Sequence, residues 1–465
     1  MSYDIVIIGS GPGGYTAAVR AAQLGKRVAI IEKESIGGTC LNRGCIPAKA
    51  LITAVDVYNT VLTADKFGVK TGTGSATLDW QAVQKRKSSI VSQLQGGLKT
   101  IFQSYGIEVI PGTATFSSPK EVVVASGNAK TTIRGEHFII ASGTVPAEIK
   151  GLEVDHQSVV DSTDALNFPE IPQRLMIIGG GVIGVELGCM YSRAGSDVTI
   201  VELLPQILPN EDTEIAAAMT QILKQEKVVV MTNTKVEKLI KTAGCVEVYI
   251  SNKAECFKVD KVLVSIGRQP VTSLLGLDKI MVKTEKGFVV TNTRMQTSIP
   301  NIYAVGDVVY KGIQLAYVAA QQGIIAAENI CGKHAEIDYK TVPSCIYTHP
   351  EIASAGYTEK QANDNGISIM VGKFPFAANG RSIILGDPRG FVKTVIDKTT
   401  GEVIGMHIIG NHATELISTA VMGMHLEVLP EDFKRIMFGH PTVSEALMEA
   451  IHDAEHEAVD KPKGM

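Results

Sequence analysis

Two stretches of the chain repeat one order of apolar and polar positions. Residues 3–34, YDIVIIGSGPGGYTAAVRAAQLGKRVAIIEKE, open on an apolar run, pass through a glycine cluster and continue as an amphipathic helix that ends near a glycine. A second apolar run follows and closes on Glu32. Residues 174–203, RLMIIGGGVIGVELGCMYSRAGSDVTIVEL, keep the same plan and close on Glu202. Short apolar runs bounded by turn residues read as strands, and recurrence every three or four residues reads as a helix. The pattern predicts two strand–turn–helix–strand units.

Outside the repeat, residues 78–106 and 210–226 read as helices, and strands are expected through 136–146 and 261–270. Residues 300–308, PNIYAVGDV, predict a strand ending in Gly306 and Asp307, with a long helix then running to about Gly332. From 341 onward strands and helices mix without a third repeat, and the chain closes with a helix and a polar tail, HDAEHEAVDKPKGM. At 465 residues the chain is too long for one core. The expected fold class is α/β, with two Rossmann-like dinucleotide-binding domains, the second inserted in the first, and a C-terminal α+β domain. The boundaries fall at 1–146 with 269–340, at 147–268, and at 341–465.

Composition narrows the classes. A net charge of −4 and the lack of a Lys/Arg run argue against nucleic acid as a partner. No apolar stretch reads as a membrane span, and the N-terminus enters a strand with no basic leader, so a cytoplasmic protein is expected. Seven cysteines, at 40, 45, 189, 245, 256, 331 and 345, are too scattered for a disulfide framework.

The repeat carries chemistry. Gly9 and Glu32 are 23 residues apart, as are Gly179 and Glu202. This is the dinucleotide fingerprint: glycines bring backbone close to a pyrophosphate at a helix N-terminus, and the carboxylate accepts from ribose hydroxyls. Two fingerprints with matching carboxylates are far more specific than one. Directly after Glu32 comes GGTCLNRGCIP, residues 37–47, with Cys40 and Cys45. On a regular helix residues five apart lie roughly 140° around the axis, so pairing these thiols requires a distorted turn and yields a reducible bond. The plainer alternative is two separate buried cysteines. Two nucleotide sites beside a thiol pair suggest an electron relay, with FAD at the first fingerprint and a nicotinamide at the second. Glu202 is followed by LLPQIL, without Arg or Lys for a 2′-phosphate, which favours NAD over NADP. Dithiol chemistry needs a base. His440 precedes Pro441, and Glu445 stands five residues on, able to hold one tautomer of a loop histidine. His349 has the same His-Pro setting, so the dipeptide alone is weak.

GGTCLNRGCIPAKAL, GGGVIGVELG, SIGRQP, YAVGDV, YTHPEIASAGYTE, FPFAANGR and HPTVSE occur in this order over nearly the full length. On these motifs the chain resembles the FAD-dependent pyridine nucleotide–disulfide oxidoreductases, and within them the branch that oxidises dihydrolipoamide. The resemblance implies that Cys40 exchanges with substrate, that Cys45 faces the flavin, and that Lys49 and Glu186 pair near the flavin's reactive nitrogen. His440 with Glu445 would be the catalytic dyad. FAD contacts are implied for Gly9, Gly11, Gly13, Gly14, Glu32 and Lys33, for Gly38, Thr39 and Lys49, and for Ala114, Ser142, Gly143, Asp307 and Ala316. NAD contacts are implied for Gly179, Gly181, Val182, Ile183, Gly184 and Glu186, and for Glu202, Val236, Ser265, Gly267 and Arg268. No metal is implied.

In the family the dyad comes from the partner subunit, so the C-terminal domain would be a dimerisation domain and the active unit a homodimer. The expected reaction converts protein-bound dihydrolipoamide to lipoamide and NAD⁺ to NADH, within a 2-oxoacid dehydrogenase or glycine-cleavage complex. Three positions depart from that branch: Phe438 replaces a second His, Tyr317 follows Ala316 where His is usual, and Ala48 replaces a common Ser. Rival readings are a reductase of another disulfide and a non-catalytic nucleotide-binding subunit.

Overall fold

The computed structural model describes residues 2–72, 76–251, 253 and 255–462, so the end of the polar tail lies outside the described residues. The first apolar run forms strand Ser2–Ile8, parallel to Val28–Glu32 on one side and to Ala129–Ile140 on the other. Glu108–Pro111 extends the sheet past Val28–Glu32, and Ile302–Ala304 also pairs in parallel with Ala129–Ile140. Thr113–Ser118 and Glu121–Ser126 add an antiparallel meander, making seven strands. Ile5 and Ile7 join one core cluster, while Val6 and Ile8 join another. A strand covered on both faces has no wet side, which is why its text is unbroken rather than alternating.

Residues 300–308 fold differently from the expected strand. The strand stops at Ala304 and Gly306–Val308 forms a 3-10 turn, because Gly306 takes φ +77° and its N–H donates to Gln322 Oε1 at 2.6 Å. The long helix after it is Ala316–Ile330. It lies against the first fingerprint helix, Pro12–Gln23, so closely that a Cβ on Gly323 would stand 2.2 Å from Gly13 O.

The second repeat unit builds a five-stranded parallel sheet in the order Val229–Met231, Asp197–Val201, Arg174–Ile178, Lys261–Val264, Val159–Val160. An antiparallel sheet of Val236–Thr242, Cys245–Ile250 and Phe257–Val259 shares a core with one of its faces. Helix Thr213–Gln225 starts later than expected because Asp212 caps it, accepting from Glu214 N at 3.0 Å. The chain enters this unit after Thr144–Pro146 and leaves it at Arg268–Pro270, and these two strands pair antiparallel.

The C-terminal part is a five-stranded antiparallel sheet, Ser344–Ile346, Glu351–Gly356, Val403–Gly410, Phe391–Asp397, Ile369–Pro375, packed with helices Ala413–His425 and Glu445–Ala454. One feature corrects the sequence reading. Gly38–Leu62, two helices interrupted at Gly44, meets the length and composition of a membrane span. In the fold its Leu51 and Val55 are buried in the core of the second unit, and its Lys49 and Asp56 pair with Glu186 and Arg193.

Gly323→Ala separates helix propensity from packing. Propensity alone favours Ala by about 0.5–1 kcal/mol. The clash with Gly13 O predicts instead a loss of about 1–3 kcal/mol, read as a lowered midpoint in denaturant unfolding.

Candidate active site

Each fingerprint is built the same way. Gly9 follows strand Ser2–Ile8 with φ +102°, and a Cβ there would stand 2.4 Å from Ala141 O. Helix Pro12–Gln23 then presents its unpaired N-terminal N–H groups at the strand ends. Glu32 folds back onto this turn: one carboxylate oxygen accepts from Ser10 N at 2.9 Å and Ser10 Oγ at 2.6 Å, the other from Glu34 N at 2.9 Å. Glu202 repeats the geometry, accepting from Gly180 N at 2.6 Å and Leu204 N at 2.7 Å. Both carboxylates are buried, and both keep acceptor capacity for ribose hydroxyls.

Between the fingerprints lies the thiol pair. Gly38–Arg43 and Cys45–Leu62 are two helices broken at Gly44, whose φ −142° and ψ −111° interrupt the helical rotation. The break removes the offset a continuous helix would impose and brings the two thiols, both free, close enough for each to shift the other's ionisation. The neighbouring Cys40, joined by the nearby Lys49 charge, outweighs burial and lowers Cys45 to about 7. Cys45, with burial, pushes Cys40 far above the ordinary thiol range. Lys49, one turn beyond Cys45, reaches both Glu186 oxygens at 3.0 and 2.9 Å.

A single cavity of about 2450 Å³ runs from the first glycine turn past Cys40, Cys45, Lys49 and Glu186 to the second. Pockets for one drug-sized ligand span about 300–1,000 Å³, so this space suits two dinucleotides. Ser142 Oγ, on its wall, is buried without a hydrogen-bond partner, as a group awaiting a bound ligand would be. The fit to a flavin dinucleotide at the first turn and a nicotinamide dinucleotide at the second is good.

Of the residues expected to hold either cofactor, Gly14 and Gly184 do not line the cavity. A Cβ on them would stand 1.9 Å from Gly9 O and 2.1 Å from Gly179 O, so they pack helix against turn instead. Arg268 lines the cavity and is tied to Thr144 and, through it, to Asp307. Its Nε and Nη2 donate to Thr144 Oγ1 and Thr144 O, both at 2.7 Å, and Thr144 Oγ1 donates to Asp307 at 2.9 Å. Burial pushes the Asp307 carboxyl above its usual range against these partners.

His440 and Glu445 lie outside the cavity. His440 Nδ1 is 2.8 Å from Glu445 Oε1, and Thr442 N holds the second oxygen at 2.8 Å. The histidine side chain is 82 % exposed, so the dyad is assembled on the surface rather than over its own thiols. The departures have definite places. Tyr317 OH donates to Pro343 O, Phe438 packs against the C-terminal core, and Ala48 is buried in the cavity wall.

Sequence reasoning missed four wall or bracing residues. Ser10 also accepts from Gly37 N at 3.1 Å, joining the glycine turn to the thiol helix. Asn42 Nδ2 donates to Ile36 O and Gly38 O at 3.0 and 2.8 Å, closing the loop before Cys40. Tyr347 N donates to Glu186 at 2.8 Å. Lys235 stands on the wall beside Val236, 33 residues beyond Glu202. Only Ser10, inside the fingerprint, and Asn42, between the thiols, had a local signal.

The fold and this cleft define an oxidoreductase that links two dinucleotides to a dithiol. Residues 3–323 match the pyridine nucleotide-disulphide oxidoreductase family and residues 342–451 match its dimerisation domain. The chain belongs to this family, whose cofactors are FAD and NAD(H). It is 41 % identical to a dihydrolipoyl dehydrogenase of Bacillus subtilis over 98 % of this chain and 99 % of that one. It is 40 % identical to one of Thermus scotoductus, covering 98 % of each. Among solved structures, the HOCl-induced flavoprotein disulfide reductase RclA of Escherichia coli superposes with a TM-score of 0.88 at 31 % identity, over 97 % of this chain and 99 % of that one.

The thiol geometry predicts an ionisation. A reduced sample should show one thiolate whose ultraviolet absorbance is present above pH 7 and lost as pH falls through about 7. Cys45→Ser should abolish that step.

Proposed function

We propose that this protein oxidises dihydrolipoamide to lipoamide and reduces NAD⁺ to NADH, as the dihydrolipoyl dehydrogenases it resembles do by name. The observation that carries the reading is the neighbouring Cys40 and Cys45 on the wall shared by both nucleotide turns. In the working cycle the pair starts as a Cys40–Cys45 disulfide. His440 of the partner subunit, held in one tautomer by Glu445, takes a proton from the substrate dithiol. The substrate thiolate attacks Cys40 and Cys45 leaves as thiolate, stabilised by the nearby Lys49 charge. The second substrate thiol then attacks the mixed disulfide, releasing lipoamide and leaving the protein dithiol. FAD, when bound, carries the electron pair from the dithiol to NAD⁺. Gly9, Glu32, Ser142 and Asp307 would hold FAD, while Gly179, Glu202 and Val236 would hold NAD. The Lys49–Glu186 pair fixes a charge where both meet.

The working unit is a homodimer. An exposed dyad with its histidine already oriented, on a chain carrying the family's dimerisation domain, supports delivery to a partner's cleft. The electron donor is a lipoyl group on another protein, of a 2-oxoacid dehydrogenase or glycine-cleavage complex. We assign the protein to the cytoplasm, where a reactive dithiol is kept in play by the reducing environment.

Purified protein with dihydrolipoamide should form NADH from NAD⁺ and little NADPH from NADP⁺. Silence with dihydrolipoamide from a flavin-loaded protein would redirect attention to another disulfide, with Tyr317 and Phe438 as the first suspects. His440→Gln should lower turnover by about 10²–10⁴-fold with FAD retained.

A further inference from the structure

A second charged cluster, outside the cleft just described, joins the second parallel sheet to the C-terminal domain. Lys393 lies in strand Phe391–Asp397 and is only 1 % exposed. Its ammonium contacts Asp212 at 3.1 and 3.2 Å, Glu214 at 2.9 Å and Glu359 at 2.7 Å. Asp212 and Glu214 start helix Thr213–Gln225, whereas Lys393 and Glu359 belong to the C-terminal part. Lys373 adds a second cation at Glu214, 2.8 Å away. Beside them Glu211 accepts from Ser344 Oγ at 2.8 Å and Ser354 Oγ at 2.6 Å. Apolar side chains could fill such a joint at no greater cost, because buried ions recover their desolvation penalty only in good geometry. Removing one partner of such a joint is costly all the same, because it leaves buried charge uncompensated.

Two short paths run from this joint to the nicotinamide end of the cavity. Glu211 closes the segment that begins at Glu202, and Leu208 N, midway along, donates to Gly180 O of the second glycine turn at 2.7 Å. On the other side, Ser344 begins the strand that ends just before Tyr347, whose N–H holds Glu186. A shift at Asp212 would move the Glu202 turn, and a shift at Ser344 would move Glu186.

We propose that Lys393, seated between Asp212, Glu214 and Glu359, is a positioning residue for the nicotinamide half of the reaction. It sets where the Glu202 turn and Glu186 stand relative to the C-terminal strands that brace them, and it touches neither substrate nor cofactor. This inference rests on the oxidoreductase reading above.

Flavin reduction in the holoenzyme can be followed by rapid mixing, once with NADH and once with dihydrolipoamide. Lys393→Met should slow reduction by NADH at least about tenfold, since small misplacements at a reacting centre are costly. Reduction by dihydrolipoamide should stay within about twofold at unchanged flavin content, and Lys393→Arg, which keeps the charge, should restore most of the NADH rate. Equal slowing of both reductions, or slowing of neither, overturns the proposal. If Lys393→Met does not fold, Glu359→Gln, at the exposed edge of the cluster, is read by the same two rates. A wild-type flavin reduced by NADH but not by dihydrolipoamide would sink the substrate assignment alone. The comparison would then use dithiothreitol as the dithiol.

Discussion

Lys49 and Glu186 pair where three parts of the molecule come together. The lysine belongs to the thiol helix, the glutamate to the second fingerprint helix, and the Tyr347 N–H that completes the glutamate's shell comes from the C-terminal part. The Tyr347 ring also lies under the ammonium, 4.6 Å from its centroid. A buried carboxylate is tolerable only when its lone pairs are used, and here a cation and a backbone donor use them. Removing the lysine would leave the buried carboxylate with the Tyr347 N–H as its remaining donor. The thiol helix, the second fingerprint helix and the C-terminal part meet at this pair, and each supplies one of its members or the donor that completes it.

That constraint explains why one chain can hold a wide cavity open without collapsing it. The wall mixes strand ends and helix starts with apolar side chains such as Ile8, Ile46 and Ile178. Stability is kept elsewhere, in buried clusters such as the one that takes Ile5 and Ile7 on one face of the first sheet. The surface histidine follows the same division. Ile436 and Met437, a few residues before it, are exposed apolar side chains, on the part of the chain that matches the family's dimerisation domain.

Much of this was legible in the sequence for a physical reason. Strands covered on both faces and glycines too close to backbone for any Cβ leave local marks, and the repeat doubled every mark. The thiol spacing could state only that a turn must break, not that Gly44 breaks it. What stayed hidden came from long-range partners. Tyr347 reaches Glu186 across 161 positions and Lys393 reaches Asp212 across 181, and no local pattern announces either meeting. Gly14 and Gly184 looked like ligands because they belong to the motif, yet their task is to let a helix sit on its own turn. The strand at 300–308 was overread because Gly306 bends it in answer to Gln322, sixteen residues later.

The two folded-back glutamates carry one more consequence. Glu202 occupies the N–H groups of Gly180, in the glycine turn before helix Val182–Arg193, and of Leu204, just past strand Asp197–Val201. The carboxylate is thus a plug as well as an acceptor: it fills an anion hole with the protein's own charge and leaves a surface that only hydroxyls can approach. On the proposed NAD reading, preference for an unphosphorylated ribose would be held by a single removable side chain. Taking it away would uncover the very donors a phosphate seeks, so a change of coenzyme lies closer to this fold than its acidic turn suggests.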